Sequence, residues 1–526
     1  MQATFAVFAF FIAASASFAV SSATVSNRLN APRRPPRQQP PAAPPPARDR
    51  MFDTLRSLIP RDPDLPARAH EIAVLRHVLD GTLYDALPHE FHTERGPGGE
   101  YIPLRLRRPS VRYNLCRVVV EDAVALLFSD SHFPTIDSPD AAVRAALADL
   151  IKDTRLNEVM IAAAVAGSVG SVALWLRVLR GRAFVSVLDT VFLTPEWRAD
   201  APDELARVTE RYKVPGRALA EAGYTIAEPE ATHWFQRVWD EEAETWFLPH
   251  PVGAPGSPAI DPARSVRHGL GFVPIVWVRN LPGPSSSGDA ADGACTFRPA
   301  IETAIEIDYQ LSQAGRGLKY ASDPTLLIKE PAAADGKLLR GAANALVVSE
   351  KGDAKLLEIG GTATQAVIAY VRTLREFALE SMHGSRASAE RLAAAQSGRA
   401  LELMNQGLIW LADRLRVSYG EGALLTLARM LLRASRVYPL RALGAPLPPL
   451  DPAARLSLKW PRWYAPSAED RERDARTLAT LAAAGHISRE SAVQAIADTY
   501  DIADVPAEIA RIAAPAAAAA TGGQNV

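Results

Sequence analysis

The spacing of apolar residues predicts helices between residues 65 and 151. Leu115, Val119, Ala123 and Leu126 recur every three or four positions, as on the buried face of an amphipathic helix. A second set with the same spacing follows: Val143, Ala146, Leu147, Leu150 and Ile151. This part of the chain is therefore expected to be mainly helical.

The pattern changes from helix to strand after Gly167 and Gly170. Residues 172–178 and 184–188 favour extended structure, and Arg180, Gly181 and Arg182 between them are typical of a tight turn. These residues predict a β-hairpin.

A second hairpin and a buried strand are predicted further along. The hairpin comprises residues 233–239 and 245–248 around an acidic turn, and the strand lies within residues 268–276, after a glycine-rich bend. Because predicted helices are followed by predicted hairpins, residues 51–280 are expected to form one mixed α+β domain.

The next part of the chain reads as a helical hairpin with a small β insert at its tip. A loop of Pro, Ser, Gly and Asp at residues 281–293 marks a boundary, and a long helix is predicted over 297–320. The returning helix is predicted over 362–380. Between them, glycine and aspartate turns separate three predicted strands: 325–328, 345–348 and 356–359.

Both predicted helices of this hairpin are amphipathic. In the first, one face carries Ile301, Ala304, Ile305, Leu311, Gly315 and Leu318, and another carries Glu302, Glu306, Gln310 and Gln313. In the second, one stripe carries Val367, Tyr370, Val371, Leu374, Phe377 and Ala378.

The C-terminal part begins with a segment of small residues, 381–399, and continues as helices. Apolar residues from Leu401 to Leu415 predict a long helix that Gly420 and Gly422 interrupt, and a strand is predicted over 455–460. Ser467 with Asp470 fits a capping box, and Ser488 is expected to cap a helix over 489–500. Residues 515–526 are Ala-rich and are expected to be disordered.

Charge and cysteine content narrow the class of protein. The 58 basic and 59 acidic side chains give a formal net charge of −1, which argues against tight binding of DNA over the whole surface. Cys116 and Cys295 are too far apart in sequence to suggest a disulfide framework or a zinc site, so a reducing compartment is expected.

The first fifty residues differ in composition from the rest. Residues 5–20 are almost wholly apolar but follow no basic residue, and residues 31–50 are rich in Pro and Arg. We expect residues 1–50 to be disordered or to precede the true start of translation near Met51. The alternative is an export signal or a short anchor.

No motif in the sequence predicts catalysis. Gly167 and Gly170 lack the Lys and Ser or Thr of a nucleotide-binding loop, and no nucleophile elbow occurs. His89 and His92 are more simply surface residues, the acidic run at 240–244 a solvated turn, and Cys116 a core residue. We therefore expect no enzymatic activity, no cofactor and no metal. The alternative is a nucleic-acid-modifying enzyme whose acidic residues bind metal.

The order of these blocks resembles the portal proteins of tailed bacteriophages, the head-to-tail connectors with wing, stem, clip and crown. The matching segments are 113–128, 162–176, the H-G-x-G-x-x-P-x-x-x-x-x-N pattern at 268–280, Glu306 to Tyr309, the S-G-x-A-L pattern at 397–401, 466–476 and 485–491. The last has Ser491 where the family usually has Thr, which keeps the hydroxyl. The N-terminal apolar run has no counterpart in the family.

The resemblance implies an α+β, mainly α, portal fold and a division of the chain into blocks. They are a wing at 51–290, a first stem helix at 291–322, a clip at 323–361, a second stem helix at 362–380, a tunnel loop at 381–399, a long helix and wing return at 400–465, and a crown at 466–514.

The function implied is a ring, usually a dodecamer, at one capsid vertex, through which double-stranded DNA is packaged and ejected. The implied partners are further copies of the chain, non-specifically bound DNA, the terminase large subunit, the major capsid and scaffold proteins, and the head-tail adaptor. The implied locations are the virion and, during assembly, the host cytoplasm, without stable membrane association. The alternative is an exported or envelope-anchored helical structural protein.

Two sets of site residues follow from the resemblance. A mobile loop of small residues with a few arginines suits contact with phosphates without base readout; its DNA-facing candidates are Ser385, Arg386, Ser388, Arg391, Ser397 and Arg399. The charge-balanced clip suits protein docking, with Lys337, Arg340, Lys351 and Lys355 as candidates.

Overall fold

The computed structural model describes residues 50–322, 325–331, 348–357, 362–384, 398–464, 467–497, 500, 502 and 504–513. The helices are α1 (Met51–Leu58), α2 (Ala67–Leu79), α3 (Leu115–Phe128), α4 (Ala141–Asp153), α5 (Leu156–Gly167), α6 (Gly216–Glu221), α7 (Ile301–Ser322), α8 (Thr362–Ser381), α9 (Gly398–Met404), α10 (Gln406–Leu415), α11 (Leu425–Val437), α12 (Ala468–Ala483), α13 (Arg489–Ala497) and α14 (Val505–Ala513). A π-helix (Arg416–Leu424) joins α10 to α11.

The strands include several very short ones. They are β1 (His89–Glu90), β2 (Arg107–Arg108), β3 (Thr135–Asp137), β4 (Ser171–Leu179), β5 (Arg182–Leu188), β6 (Leu193–Trp197), β7 (Leu205–Pro215), β8 (Thr232–Trp239), β9 (Ala243–Trp246), β10 (His250–Pro251), β11 (Val266–Arg267), β12 (Ile275–Arg279), β13 (Thr325–Pro331), β14 (Val348–Leu357), β15 (Arg441–Ala442), β16 (Ala445–Pro446) and β17 (Ser457–Lys459).

Strand β4 lies at the centre of a three-stranded antiparallel sheet, in the order β12-β4-β5, and is buried on both faces. Because successive side chains of a strand point to opposite faces, Leu174 and Leu176 belong to the helical core, whereas Ala173 and Trp175 face a second core. The predicted hairpin β4–β5 is confirmed. Its turn places both Arg180 and Gly181 at positive φ, 52° and 77°, the conformation of a tight two-residue hairpin turn.

The helical core covers one face of this sheet. It contains residues of α2, α3, α4 and α5, and the predicted helices α3 and α4 are confirmed. The long helical segment after residue 400 returns to the same core, where Leu411, Leu427 and Leu431 are buried. The mixed domain that begins at residue 51 therefore closes its core only with residues beyond 400.

A larger antiparallel sheet covers the other face of β4. Its strands run in the order β11-β9-β8-β7-β6, with β10 also paired to β8. The predicted second hairpin is confirmed as β8–β9. Arg237 of β8 lies over the rings of Trp175, Trp239 and Trp246 and forms ion pairs with Glu210 and Glu244. This stacking fixes the larger sheet against β4.

The predicted β insert differs from its prediction. Within the described residues of the insert, β13 pairs with β14 in an antiparallel hairpin from Thr325↔Leu357 to Pro331↔Val348. Residues 345–347 of the second predicted strand lie outside the described residues. Strand β14 continues through Gly352 and Asp353, which were predicted to form a turn. Pairing with β13 keeps these two residues extended, since Asp353 pairs with Lys329.

The predicted interruption of the long helix at Gly420 and Gly422 is also wrong in form. The chain continues there as a π-helix from Arg416 to Leu424. The wider turn brings Gly420 against Trp460, where a Cβ atom would lie 2.6 Å from the indole ring. Glycine is therefore needed for close packing, and the helix does not end.

The C-terminal helices have little core of their own. Ser467 and Asp470 form the predicted capping box at α12, and the Ser488 hydroxyl accepts a hydrogen bond from the Ser491 N–H, 3.0 Å away. Helix α13 is described from Arg489 to Ala497, and the Tyr500 N–H donates to the Ile496 carbonyl at 3.1 Å. Helix α12 has no buried residue among its sixteen.

A buried ion pair joins α2 to the loop before α7. Arg68 donates to both carboxylate oxygens of Asp292, at 2.9 and 2.6 Å, and to the carbonyls of Thr190 and Leu193. Ser171 also donates to Asp292, at 2.5 Å. Because the side chains are only 4% and 3% exposed, removing one partner would leave an uncompensated charge in the interior.

We predict that Arg68→Met lowers the free energy of unfolding by about 3–5 kcal/mol, the usual cost of breaking a buried pair. Combining it with Asp292→Asn should restore part of the loss, because the orphaned charge is then gone. Urea denaturation checks both variants. Arg217→Met is the matched control, since it breaks the exposed pair with Glu230 and should cost less than about 1 kcal/mol. Equal losses at the two sites would contradict the prediction.

Candidate assembly site at the helical hairpin

The first three turns of α7 are anchored by polar side chains. The Asp308 carboxylate accepts hydrogen bonds from the Tyr84 hydroxyl and the Tyr113 N–H, both at 2.8 Å. The Tyr309 hydroxyl donates to the carbonyl of Arg107 at 2.9 Å. The Ser312 hydroxyl accepts from the Val111 N–H at 3.0 Å. All three α7 residues are buried, so the base of the hairpin is fixed to the α+β domain.

Burial perturbs the ionisation of this anchor. Desolvation raises the pKa of Asp308 from 3.8 to about 6, although the hydrogen bonds from Tyr113 and Tyr84 oppose the rise. Desolvation, together with the nearby Asp308 carboxylate, also raises the pKa of Tyr84 and of Tyr309. The tyrosines therefore remain neutral donors.

A buried asparagine ties the segment before α7 to three other parts of the chain. Asn280 is fully buried, and its amide NH2 group donates to the carbonyls of Ala294 and Ser168 and to the Thr296 hydroxyl, at 2.8, 3.4 and 2.9 Å. Its amide oxygen accepts from the Tyr419 hydroxyl of the π-helix, at 3.1 Å. We call these groups the Asn280 junction.

Backbone hydrogen bonds complete the Asn280 junction. The carbonyl of Gly170 accepts from the N–H groups of both Asn280 and Gly293, each at 2.9 Å. At Gly167 a Cβ atom would lie 2.1 Å from the Tyr419 hydroxyl. The glycines that suggested an incomplete nucleotide-binding loop therefore serve close packing.

Beyond this base the hairpin loses its packing partners. On α8, Ala378, Leu379 and the following Met382 are buried, whereas residues 365–377 are half-buried or exposed. Among the hairpin residues whose side chains the structure describes, the exposed large apolar ones are Leu318, Ile368, Tyr370 and Phe377. The apolar stripe predicted on α8 is thus divided: Val371 and Leu374 pack against the core, and Tyr370 and Phe377 face solvent.

The structure describes three of the ten residues predicted to contact DNA or a docking partner. Ser385, Arg386, Ser388, Arg391 and Ser397, with Lys337 and Arg340, lie outside the described residues, as does the apolar run at 5–20. Arg399 lies in the first turn of α9, and Lys351 and Lys355 lie in β14. Their assignment to DNA or to a docking partner stays a prediction.

Sequence reasoning did not identify the residues that hold the hairpin. Asn280 was noted only as the end of a motif, and the Arg68–Asp292 pair was not foreseen. One signal was present: Arg68 lies beside the apolar positions of α2, Ala69, Ile72 and Leu75, which are buried. A charge so placed requires a buried partner, but the sequence does not say which.

The acidic run after β8 is only partly a solvated turn. Asp240 accepts hydrogen bonds from the N–H groups of Glu242 and Ala243. Glu244 is partly buried and pairs with Arg237 and the Trp246 indole; desolvation raises its pKa. Within the described part of the chain, no group of three or more His, Cys, Asp or Glu residues is placed to hold a metal ion.

Both cysteines are buried free thiols, as predicted for Cys116. Desolvation raises the pKa of Cys295 to about 12 and also raises that of Cys116. Among the helices in the described ranges, none combines the length and the apolar run needed to cross a bilayer.

Comparisons with known proteins give matches only among solved structures; no protein-family model and no curated protein matches the chain. One similar chain is from the neck of an empty GTA (gene transfer agent) particle computed with C6 symmetry: 14% identity, TM-score 0.36, covering 73% of this chain and 89% of that chain. Another is from the neck of a native GTA particle computed with C12 symmetry: 12% identity, TM-score 0.36, covering 85% and 98%. At these TM-scores neither likeness supports a conclusion about this chain.

We predict that Asp308→Asn changes how stability depends on pH. Because the folded-state pKa is raised to about 6 from 3.8, the folded protein binds more protons than the unfolded chain between these values, and the free energy of unfolding rises as pH falls through this window. Urea denaturation from pH 7 to pH 4 should show the parent gaining on the order of 2–3 kcal/mol relative to the variant. All other titratable groups are shared, so the difference isolates Asp308. Parallel pH curves would contradict the prediction.

Proposed function

We propose that this chain is a portal protein, a structural subunit of a ring that conducts double-stranded DNA into and out of a capsid, and not an enzyme. The family resemblance supports this because two of its motifs coincide with anchoring residues. The pattern at 268–280 ends in Asn280, the centre of the Asn280 junction. The segment from Glu306 to Tyr309 contains Asp308 and Tyr309, which fix the base of α7.

The observation that carries the proposal is the uneven packing of the α7–α8 hairpin. Its base is fixed by buried polar contacts, so its direction is set by the α+β domain. Its outer part exposes large apolar side chains, including 48% of Tyr370 and 36% of Ile368. An exposed apolar surface on a rigidly held element is typical of a protein–protein contact. Further copies of the same chain can cover it in a closed ring.

The C-terminal helices support the same conclusion. Helix α12 has no buried residue, and an apolar groove of about 490 Å³ lies between it and α13. Leu478 and Val493 line this groove, and Arg471 and Arg489 lie beside them. A helix with so little intramolecular packing is poorly stabilised alone, and contact with neighbouring copies would supply what it lacks.

The charge of the hairpin suits passage of DNA. On α8, Arg372 and Arg375 are balanced by Glu376 and Glu380, and Arg316 of α7 is paired with Glu94. Since phosphate contacts by Lys and Arg dominate affinity for DNA, a balanced surface does not hold the duplex tightly. A DNA channel requires such weak contact, because the duplex must slide through it, whereas a sequence-specific DNA-binding protein must hold the duplex in place.

The finer assignments follow the family resemblance. We propose a dodecameric ring at a capsid vertex of the virion, assembled in the host cytoplasm with the major capsid and scaffold proteins. The β13–β14 insert would dock the terminase large subunit during packaging and the head-tail adaptor afterwards. The segment at 381–399 would face the DNA.

We predict that the purified full-length chain forms annular particles with an axial hole. Negative-stain electron microscopy should show the annulus, and mass photometry should give about 680 kDa, twelve times the 56.7 kDa of one chain. A protein that stays monomeric at every concentration, even with capsid and scaffold proteins added, would overturn the proposed function.

We also predict that the tip of the insert is needed for docking and not for ring formation. Pro331 and Val348 are paired across the hairpin, so residues 332–347 can be replaced by a two-residue Asn-Gly turn without changing the strands. The variant should form normal rings and lose motor-dependent DNA filling, measured as nuclease-protected DNA. A Gly-Ser segment of the original length is the matched control and should lose filling as well. Normal filling by either variant would show that the tip is not the docking site.

A further inference from the structure

A line of exposed apolar residues runs along the helical segment after residue 398. Leu403, Trp410 and Val417 are 59%, 57% and 60% exposed. They are seven residues apart, and two turns of an α-helix bring such residues back to one face. Hydrogen bonds from Asn405 N–H to the Leu401 carbonyl and from Ile409 N–H to the Asn405 carbonyl continue the helix across the junction of α9 and α10. We call these three residues the α10 seam.

A second exposed pair on α8 has the same spacing. Tyr370 and Phe377, here called the α8 seam, are also seven residues apart and are 48% and 59% exposed. The repeat along each seam is about 10.5 Å at 1.5 Å per residue. Large side chains of one seam can therefore alternate with those of the other along a shared helix–helix contact.

Charge decides which pairing of the seams is favourable. The exposed carboxylates Glu376 and Glu380 flank the α8 seam. On the α10 seam both Asp413 and Arg414 are exposed between Trp410 and Val417, and Asp413 is offset by Arg416 of its own chain, 4.0 Å away, which leaves a net positive charge along the seam. Packing two α8 seams together would oppose carboxylates, and packing two α10 seams would oppose the arginines. Packing an α8 seam on an α10 seam brings Arg414 near carboxylates, which is the complementary arrangement.

A groove extends the α10 seam at its C-terminal end. Val417, Ser418 and Arg414 form one wall, and the loop from Pro282 to Asp289 forms the other, around a volume of about 480 Å³. This volume can receive an aromatic side chain. Aromatic residues that fill pockets at the centre of a contact contribute most to binding.

Building on the proposed ring, we infer that the α8 seam of one subunit packs on the α10 seam of a second copy of the chain. The contact uses two different surfaces, so it is heterologous and repeats around the ring, with each subunit offering one seam to each neighbour. Leu403, Trp410 and Val417 are thereby assigned to the subunit interface.

Engineered cysteines test this pairing. Phe377→Cys is combined in turn with Leu403→Cys, Trp410→Cys or Val417→Cys, and the purified full-length variants are oxidised mildly. Both native cysteines are buried and do not compete. Because docking raises the effective concentration of facing thiols, at least one combination should give a ladder of covalent multimers on non-reducing gels, about tenfold or more above a control that pairs Phe377→Cys with Leu179→Cys. Leu179 is 51% exposed and lies outside both seams.

The outcomes separate this inference from the proposed function. Equal mixing of Phe377→Cys protein with the reactive single variant should give only covalent dimers, since each chain then carries one thiol. Rings without a ladder from any combination would overturn the seam pairing and leave the ring intact. Dimers from Phe377→Cys alone would also overturn it, because they require α8 to meet α8. Absence of rings from the parent protein would instead overturn the proposed function.

Discussion

The structure depends on buried polar groups that must all be satisfied where the hairpin meets the α+β domain. Asn280 uses both amide hydrogens and its oxygen, and nearby Arg68 and Asp292 neutralise each other. An unpaired group at either place would cost more free energy than the interactions add. This requirement leaves one arrangement for the loop before α7, and so sets where the hairpin begins and which way it leaves the domain.

The α7–α8 hairpin is anchored to the α+β domain at its base and exposes apolar side chains beyond it, and this is the property most relevant to function. The base of α7 is held by the hydrogen bonds of Asp308 and Tyr309, while the outer part of α8 exposes Tyr370. A loosely attached hairpin could fold back and cover its own apolar residues. A rigid base prevents this and leaves the apolar surface to a partner, as the proposed ring requires.

Much of the fold could be predicted from the sequence, because local patterns decide it. Apolar spacing predicted α3, α4 and the long helix after residue 400, alternation predicted the β4–β5 hairpin, and Ser467 with Asp470 predicted the start of α12. Each depends on residues close in sequence, whose conformational preferences and side-chain spacing act within a few turns. The wrong predictions, at Gly352 and at Gly420, treated glycine as a break. Gly352 lies in a strand that pairs with β13, and Gly420 lies in a π-helix where the absence of a side chain makes room for Trp460.

The sequence by itself determined the helices, the hairpins, the balanced charge and a resemblance to portal proteins. Only the tertiary structure decided which residues hold the hairpin and which remain exposed. Tyr419 meets Asn280 across 139 positions and Arg68 meets Asp292 across 224, and no local pattern specifies such partners. Likewise, Tyr370 and Val371 read as one apolar stripe until packing buried one side and left the other to solvent. Burial is a property of the assembled chain, so it is fixed only when distant segments meet.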